Sequence, residues 1–175
     1  MSSMRARALF ATVVLGLSAC SLSTAPQSSP TIQGSPAIGS SETVTVQRVV
    51  DGDTFIALDG TQRFRVRLIG IDTPETVKPG APIGCFGPEA SSYAHKTLTG
   101  RQVRLVYDVD RYDRYRRVLA YVYLGNTFFN LELVLRGYAV VDTVPPNVAH
   151  VDEFVKAQRA ARASRAGLWL ACALR

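Results

Sequence analysis

Apolar and polar residues alternate in five short runs of the chain that follow residue 42. Alternation with a period of two is typical of strands that bury one face. It predicts strands over residues 43–50, 54–58, 62–71, 101–108 and 118–124. Asp59-Gly60 favours a tight hairpin between the second and third strands. In the third strand Phe64, Val66 and Leu68 alternate with arginines, so one face is predicted to be core and the other to meet water or an anion.

Three further segments carry apolar residues at helical spacing. They predict helices over residues 88–98, 130–136 and 151–165, and a short extended segment precedes the second of them at 127–129. Pro88 suits the first turn of the first helix, and Asn130 suits the cap of the second. Residues 73–87 form a predicted loop of a length that is usually functional in a compact domain. The order of elements predicts an α+β fold, an OB-fold-like five-stranded barrel with three helices.

The first 41 residues have the composition of an export signal and a linker. Residues 1–19 carry Arg5 and Arg7 and then an apolar run too short to span a bilayer, which predicts a signal peptide. Leu17-Ser18-Ala19-Cys20 resembles a bacterial lipobox, and Cys20 would then be the lipidated first residue of the mature protein. Ordinary secretion is the alternative. Residues 20–41 form a flexible tether rich in Ser, Thr and Pro, and residues 42–175 form one folded domain.

Charge and cysteine usage limit the classes of partner and metal. The formal net charge of +6 falls to +4 when Arg5 and Arg7 leave with the signal peptide, which suits a polyanionic partner. Cys85 and Cys172 remain once Cys20 is assigned to the anchor. In an oxidising compartment this pair favours a disulfide, although two unrelated thiols are the alternative. The chain has no C-x-x-C spacing and only two histidines, which excludes a structural zinc site.

Acidic and basic side chains concentrate in two segments, residues 51–75 and 110–117. Asp53 and Asp72 are hard oxygen donors at strand ends, a type that suits a hard divalent cation. Glu75 lies three residues after Asp72, where it can orient or deprotonate a water molecule. Arginine forks can pair with two phosphate oxygens at once. These residues predict a metal-dependent nuclease, while Asp51 and Asp59 are interpreted as turn residues only.

Five ordered motifs carry a family resemblance. They are DGDT at 51–54, RLIGIDTPE at 67–75, GPEA at 87–90, DRYRRVLAYV at 113–122 and GLW at 167–169. The set resembles the staphylococcal nuclease (thermonuclease) family. The resemblance implies Ca²⁺ held by Asp53, Asp72 and the carbonyl of Thr73. It also implies Glu75 as general base and Arg67 and Arg117 as the groups that stabilise the transition state.

By the same resemblance, Arg114 and Tyr115 contact the terminal phosphate and a base of the substrate. The chain departs from the family in two places. Residues 142–146 (DTVPP) stand where the family example has tyrosines, and Arg116 replaces a family glycine. These changes leave the five residues assigned to the reaction untouched, but they put one substrate contact in doubt.

The sequence therefore predicts an exported, lipid-anchored, monomeric Ca²⁺-dependent endonuclease. It is expected to hydrolyse DNA and RNA with little sequence preference, and the resemblance implies 3′-phosphate products. A catalytically silent nucleic-acid-binding module on the same fold is the first alternative. A histidine-driven ribonuclease that uses His95 and His150 is the second, although both histidines are expected at the surface.

Overall fold

The structure is a computed structural model that describes residues 38–76, 80 and 82–172, all of them in one compact unit. Its strands are β1 (Ser41–Val49), β2 (Thr54–Asp59), β3 (Gln62–Leu68), β4 (Ile71–Asp72), β5 (Gln102–Val106), β6 (Val118–Leu124), β7 (Thr127–Phe128) and β8 (Val140–Val141). Its helices are α1 (Gly87–Leu98), α2 (Phe129–Leu135), α3 (Val151–Ala163) and α4 (Leu168–Ala171).

Five of these strands close into a barrel. The hydrogen-bonded order is β3-β2-β1-β5-β6-β7, and a parallel pairing of β3 with β6 closes the ring. The other pairs of the ring are antiparallel, and β7 lies outside it on the edge of β6. The predicted OB-fold-like five-stranded barrel is confirmed. The described residues hold four helices where three were predicted, because α4 is a single short turn after Gly167.

The barrel core follows the period-two pattern. Val66 and Leu68 of β3 are buried, whereas Arg63 and Arg65 are exposed. Helix α1 presents Ala90, Ala94 and Leu98, spaced at one helical face, and all three are buried. Packing this small-residue face on the sheet lets the helix approach closely, and the helix carries the loop before it towards the mouth of the barrel.

The predicted third strand is interrupted before its end. Strand β3 stops at Leu68, and Ile71–Asp72 forms the separate strand β4, which pairs with β8. Gly70 causes the break, because it has φ +79° and any Cβ there would lie 2.4 Å from Cε2 of Phe154. The single-strand prediction for residues 62–71 was therefore wrong. Its consequence is that Asp72 lies on a second, short ladder beside the barrel.

Asn130 does not cap α2 as predicted, because the helix begins one residue earlier at Phe129. Its side chain is fully buried and joins three elements. The Nδ2 group donates to the carbonyl of Ile69 at 3.0 Å, and Oδ1 accepts the N–H of Val122 at 2.9 Å. This amide therefore ties α2 to β6 and to the turn that leads into β4.

Cys85 and Cys172 are joined in a disulfide with their Cα atoms 5.9 Å apart, so the segment before α1 is linked to the end of α4. The predicted signal peptide, Cys20 and nearly all of the tether lie outside the described residues, as do residues 77–79 and 81 of the predicted loop. Among the helices that the structure describes, none is both long and apolar enough to cross a membrane.

Candidate active site

A polar cavity of about 190 Å³ opens at one end of the barrel. The turn between β1 and β2, the end of β3, the segment from β4 onwards and the turn before β6 all reach it. Its lining residues are Asp51, Asp53, Thr54, Arg67, Asp72, Thr73, Pro74, Glu75 and Arg117. The two aspartates, the glutamate and the two arginines that the sequence assigned to the reaction are thus brought together around one cavity.

Asp53 is the most deeply buried carboxylate of the cavity, with 3% of its surface exposed. Its Oδ2 accepts the N–H of Thr73 at 2.8 Å and the hydroxyl of Thr73 at 3.0 Å. Its Oδ1 accepts the hydroxyl of Thr54 at 3.0 Å. Three hydrogen bonds to a buried carboxylate fix the position of both of its oxygen atoms.

Gly52 allows the close contact between the β1–β2 turn and residue Thr73. A Cβ at this position would lie 2.7 Å from Cγ2 and 2.8 Å from Oγ1 of Thr73. Separations this short do not occur for real Cβ atoms, so a side chain at residue 52 would displace Thr73. The glycine of the DGDT motif is therefore required by the packing of the site itself.

Arg67 lies between the two aspartates. One terminal nitrogen forms an ion pair with Asp53. The other donates to Oδ1 of Asp72 at 2.8 Å and to the carbonyl of Ile71 at 3.0 Å. The guanidinium is mostly buried, with 15% of its side chain exposed, whereas 54% of Asp72 is exposed. The planar fork is fixed by partners on both sides, which orients it towards the cavity.

The oxygen atoms of this cavity fit a hard divalent cation only if water completes the shell. Within the part of the chain that the structure describes, no three His, Cys, Asp or Glu side chains are close enough together to hold a metal ion. The protein donors that the family resemblance implied, the carboxylates of Asp53 and Asp72 and the carbonyl of Thr73, would then supply only part of the shell. Hard cations accept such all-oxygen sets and commonly retain water ligands. Oxygen ligands of this type fit calcium. Arg67 forms ion pairs with the carboxylates of Asp53 and Asp72 and so holds both of them in place.

Asp51 is a cavity residue that the sequence analysis assigned to a turn alone. It does stabilise the turn, because its Oδ1 accepts the N–H of Asp53 at 3.2 Å. It also lines the cavity with Glu75 and Arg67. Burial raises the pKa of the Asp51 carboxyl above its ordinary value, Arg67 opposes this rise, and the negative charge of Glu75 adds to it. The turn interpretation of Asp51 agrees with this hydrogen bond, and the structure adds that the same carboxyl faces the cavity; its place as the first residue of the DGDT motif was the available signal.

Glu75 is exposed at the rim of the cavity. Its Oε1 accepts the N–H of Thr76 at 2.9 Å, and its backbone carbonyl accepts the N–H of Gly84 at 2.7 Å. Gly84 adjoins the disulfide-bonded Cys85, so the far end of the loop is tied to the residue that carries the carboxylate. An exposed carboxylate beside a cavity can reach a water molecule inside it.

Arg117 reaches the same cavity from a tight turn. Its Nε donates to Oδ2 of Asp113 at 2.6 Å, and its N–H donates to Oδ1 of Asp113 at 2.9 Å. Arg116 adopts φ +61°, a left-handed conformation that explains why glycine would fit this position better. The turn is thus closed by Asp113, which orients Arg117 for the cavity.

A second cavity of about 510 Å³ adjoins the first, and both are lined by Arg67 and Arg117. Arg114 and Tyr115 line it, and Tyr115 is 64% exposed. The guanidinium of Arg114 lies 4.8 Å from the centre of the Tyr115 ring. Its lining also includes Val144, Pro145 and Pro146, which belong to the segment where the sequence departs from the family resemblance, so apolar side chains line this part of the cavity.

Neither histidine belongs to these cavities. His95 is exposed on α1. The ring of His150 packs edge-on against Tyr121 with centroids 4.5 Å apart, and its Nδ1 lies 2.7 Å from Oε2 of Glu153. The geometry therefore gives no support to histidine-driven hydrolysis at the candidate site.

Comparison with known proteins agrees with this geometry. The family described as staphylococcal nuclease homologue matches residues 65–171. The thermonuclease of Staphylococcus intermedius is 44% identical over 128 residues, which cover 73% of this chain and 76% of that protein. The thermonuclease of Staphylococcus hyicus is 41% identical with the same coverage, and endonuclease YncB of Bacillus subtilis (strain 168) is 33% identical over 72% of this chain and 61% of its own length.

The family match begins at residue 65, after Asp53, so the place of Asp53 in the site rests on the geometry of the cavity. The extent of the match, the identity to the two thermonucleases and the closed barrel lead to one conclusion. The chain belongs to the staphylococcal nuclease family.

Proposed function

We propose that the protein is a Ca²⁺-dependent endonuclease that hydrolyses DNA and RNA with little sequence preference and leaves 3′-phosphate ends. That it is a nuclease hydrolase follows from its family and from its thermonuclease and endonuclease relatives. The observation that carries the finer proposal is the convergence of Asp53, Asp72, Glu75, Arg67 and Arg117 on one polar cavity.

The carboxylates divide into two roles. Asp53, Asp72 and the Thr73 carbonyl would hold Ca²⁺, which when bound neutralises charge on the scissile phosphate. Glu75 accepts a proton from the attacking water, whose oxygen forms the new bond to phosphorus. The bond from phosphorus to the 5′ oxygen breaks in the same displacement, and the leaving oxygen takes up a proton. The exposure of Glu75 at the cavity rim supports this role, because the base must reach water.

The two arginines supply positive charge where negative charge develops. Arg67 is held by Asp53 and Asp72, and Arg117 is held by Asp113, so both forks are oriented before substrate binds. A preorganised donor of this kind contributes about 3–4 kcal/mol to transition-state stabilisation, or 10²–10³ in rate. Arg117 is assigned to the leaving oxygen and Arg67 to the equatorial oxygens.

Substrate binding extends into the larger cavity. Tyr115 offers an exposed ring on which a base can stack, an interaction of about 1–3 kcal/mol that does not distinguish sequences. Arg114, which donates to the Tyr115 hydroxyl at 2.7 Å, adds a cation for a phosphate. These contacts favour weak sequence preference, because they address ring faces and phosphates rather than base edges.

The decisive experiment compares cleavage of plasmid DNA and of RNA by the purified protein in calcium and in chelator. Cleavage in calcium, its loss in chelator and 3′-phosphate termini are the expected results. Binding without cleavage would favour the catalytically silent alternative. Cleavage that persists in chelator and disappears when both histidines are replaced would favour the histidine mechanism.

Two variants separate the assigned roles. Glu75→Gln is expected to abolish most turnover and leave calcium affinity nearly unchanged, whereas Asp53→Ala is expected to weaken calcium binding itself. Asp59→Asn, at an exposed hairpin turn, is the matched control. Equal loss of calcium affinity in Glu75→Gln and Asp53→Ala, measured by calorimetry, would contradict this division.

We also propose that the domain is exported as a monomer and anchored through a lipid on Cys20. Support comes from the lipobox-like tetrapeptide at residues 17–20 and the uncharged linker that follows. Metabolic labelling with a radioactive fatty acid is expected to mark the wild type and not Cys20→Ala. An unlabelled wild type found free in the medium would indicate ordinary secretion instead.

A further inference from the structure

The outer face of the first three barrel strands carries a group of arginines beyond those of the candidate site. Strand register places Arg65 opposite Ile56, and Ile56 opposite Arg48. Nearer the hairpin that joins β2 and β3, Arg63 lies opposite Leu58. At the end of the two strands away from this hairpin, Arg67 lies opposite Thr54. Cross-strand partners share a face of the sheet. Arg48, Arg63 and Arg65 therefore lie on the same face as Arg67.

A β-bulge brings Arg48 onto this face. The register of β1 and β2 shifts between Val46 and Arg48, with Val46 opposite Ala57 and Arg48 opposite Ile56. Val46 and Val49 are both buried, whereas Gln47 and Arg48 between them are exposed. In a regular strand Arg48 would share the inward face of Val46, because side chains alternate with a period of two. The extra residue turns the guanidinium outward.

Within residues 38–76, 80 and 82–172, these three arginines have no acidic partners. All three are exposed, and the ion pairs, hydrogen bonds and ring contacts of the described residues include none of them. By contrast Arg67, Arg111, Arg117 and Arg136 each pair with a carboxylate. Like charges that lack counter-charges repel one another. Binding of an anion across them relieves this repulsion and is therefore favourable.

The spacing of the group suits a polyanion that leaves the candidate site. A strand rises about 3.3 Å per residue, so Arg65 and Arg63 lie about 7 and 13 Å from Arg67 along β3. Arg48 lies two strands away from Arg65, a distance of about 9.5 Å. A stacked nucleic acid strand presents one phosphate per 3.4 Å of its axis, so the distance from Arg67 to Arg63 corresponds to about four nucleotides.

We propose that Arg48, Arg63 and Arg65, here called the arginine row, bind the phosphate backbone of a nucleic acid polymer on one side of the scissile bond. This inference rests on the proposed function. The row continues along β3 from Arg67, which lines the candidate site, and this continuity selects nucleic acid over an anionic lipid surface as its occupant. The row contributes affinity for long substrates and takes no part in bond cleavage.

The test compares two triple variants of the full-length mature protein. One replaces Arg48, Arg63 and Arg65 with glutamine. The control replaces three exposed cations of α1 and α3 with glutamine, Lys96, Lys156 and Arg159, and removes the same net charge. Steady-state kinetics are measured on a long single-stranded DNA and on a dinucleotide, each over a range of salt concentrations.

The row variant is expected to raise KM for the long DNA about tenfold and to lower the salt slope of kcat/KM by about two, because each lost phosphate contact removes about 0.7–0.9 from that slope. Its kcat, and its kinetics on the dinucleotide, are expected to match the control. Long-DNA kinetics equal to those of the control would overturn the inference. An equal loss on the dinucleotide would also overturn it, since the arginines would then act on the site itself.

Two further outcomes are informative. If the wild type cleaves neither substrate, the proposed function fails, and fluorescence anisotropy of labelled long DNA still tests the row by the loss of binding in the row variant alone. Binding to vesicles of anionic lipid that is lost in the row variant, with unchanged affinity for long DNA, would overturn the inference in favour of a membrane contact.

Discussion

The disulfide between Cys85 and Cys172 is expected to supply a large part of the stability of the domain. It joins residues that are 87 positions apart, so it closes a loop that contains the barrel strands β5 and β6 and all four helices. In the chain-entropy description a crosslink of this span lowers the entropy of the unfolded chain by an amount worth about 4–5 kcal/mol at room temperature. That is a third or more of the ~5–15 kcal/mol by which native proteins exceed their unfolded states.

Cys85→Ser, Cys172→Ser and the double variant test this expectation in a Cys20→Ser background, which removes the third thiol from exchange. Each single variant abolishes the whole crosslink, so all three are expected to lose the same 4–5 kcal/mol, or about 10–20 °C in Tm. The urea m-value should also rise, because the unfolded chain exposes more surface without the crosslink. Urea unfolding followed by circular dichroism supplies both quantities.

The wild type measured in reductant should coincide with the double variant. A loss of less than ~1 kcal/mol in the double variant would refute the reasoning, since the loop-closure entropy would then be absent. So would additive losses in the two single variants, because they would show that each cysteine acts through its own packing rather than through the bond.

Three other outcomes are expected from single positions. Gly52→Ala should destabilise the fold by about 1–3 kcal/mol and reduce turnover, because the new methyl group displaces Thr73 from Asp53; unchanged urea midpoint and kcat would contradict this. Arg116→Gly should stabilise by about 0.5 kcal/mol, since relief of the left-handed backbone exceeds the added freedom of the unfolded chain; a lower Tm would contradict it. Burial and the hydrogen bond to Glu132 raise the pKa of Tyr93 to about 12, from an ordinary value of 10.0. The folded state then keeps a proton that the unfolded state loses, so stability should fall as pH rises from 10 to 12, and Tyr93→Phe should show a shallower fall in alkaline unfolding curves.

The alternation of residues 62–68 was sufficient to predict the two faces of β3, because one-sided burial imposes a period of two on any strand that packs against a core. Glycine and proline positions likewise located the hairpin after β2 and the start of α1 to within one residue. Element ends were less predictable where a distant side chain intervenes. The break between β3 and β4 lies at Gly70, whose φ is +79°, and the ring of Phe154, 84 residues away along the chain, occupies the space that a side chain at residue 70 would need.

Buried polar residues show the same limit. Asparagine is a favoured residue type at helix N-caps, and the local sequence predicts no other role for Asn130. Its buried side chain hydrogen-bonds to the backbone of Ile69, which is 61 residues away in the sequence, and to that of Val122, which is 8 residues away. Tertiary packing overrode local preference at this position because a buried backbone donor and acceptor both needed a partner.

For the candidate site, the sequence alone identified the chemical groups, since motif order and residue type are local properties that folding does not alter. Only the tertiary structure decided their arrangement: Arg67 between Asp53 and Asp72, Asp51 inside the cavity, and Arg48 turned outward beside Arg65 by a bulge. Distances between side chains that are far apart in sequence depend on strand register and on the closure of the barrel. Neither is encoded in any single segment of the chain.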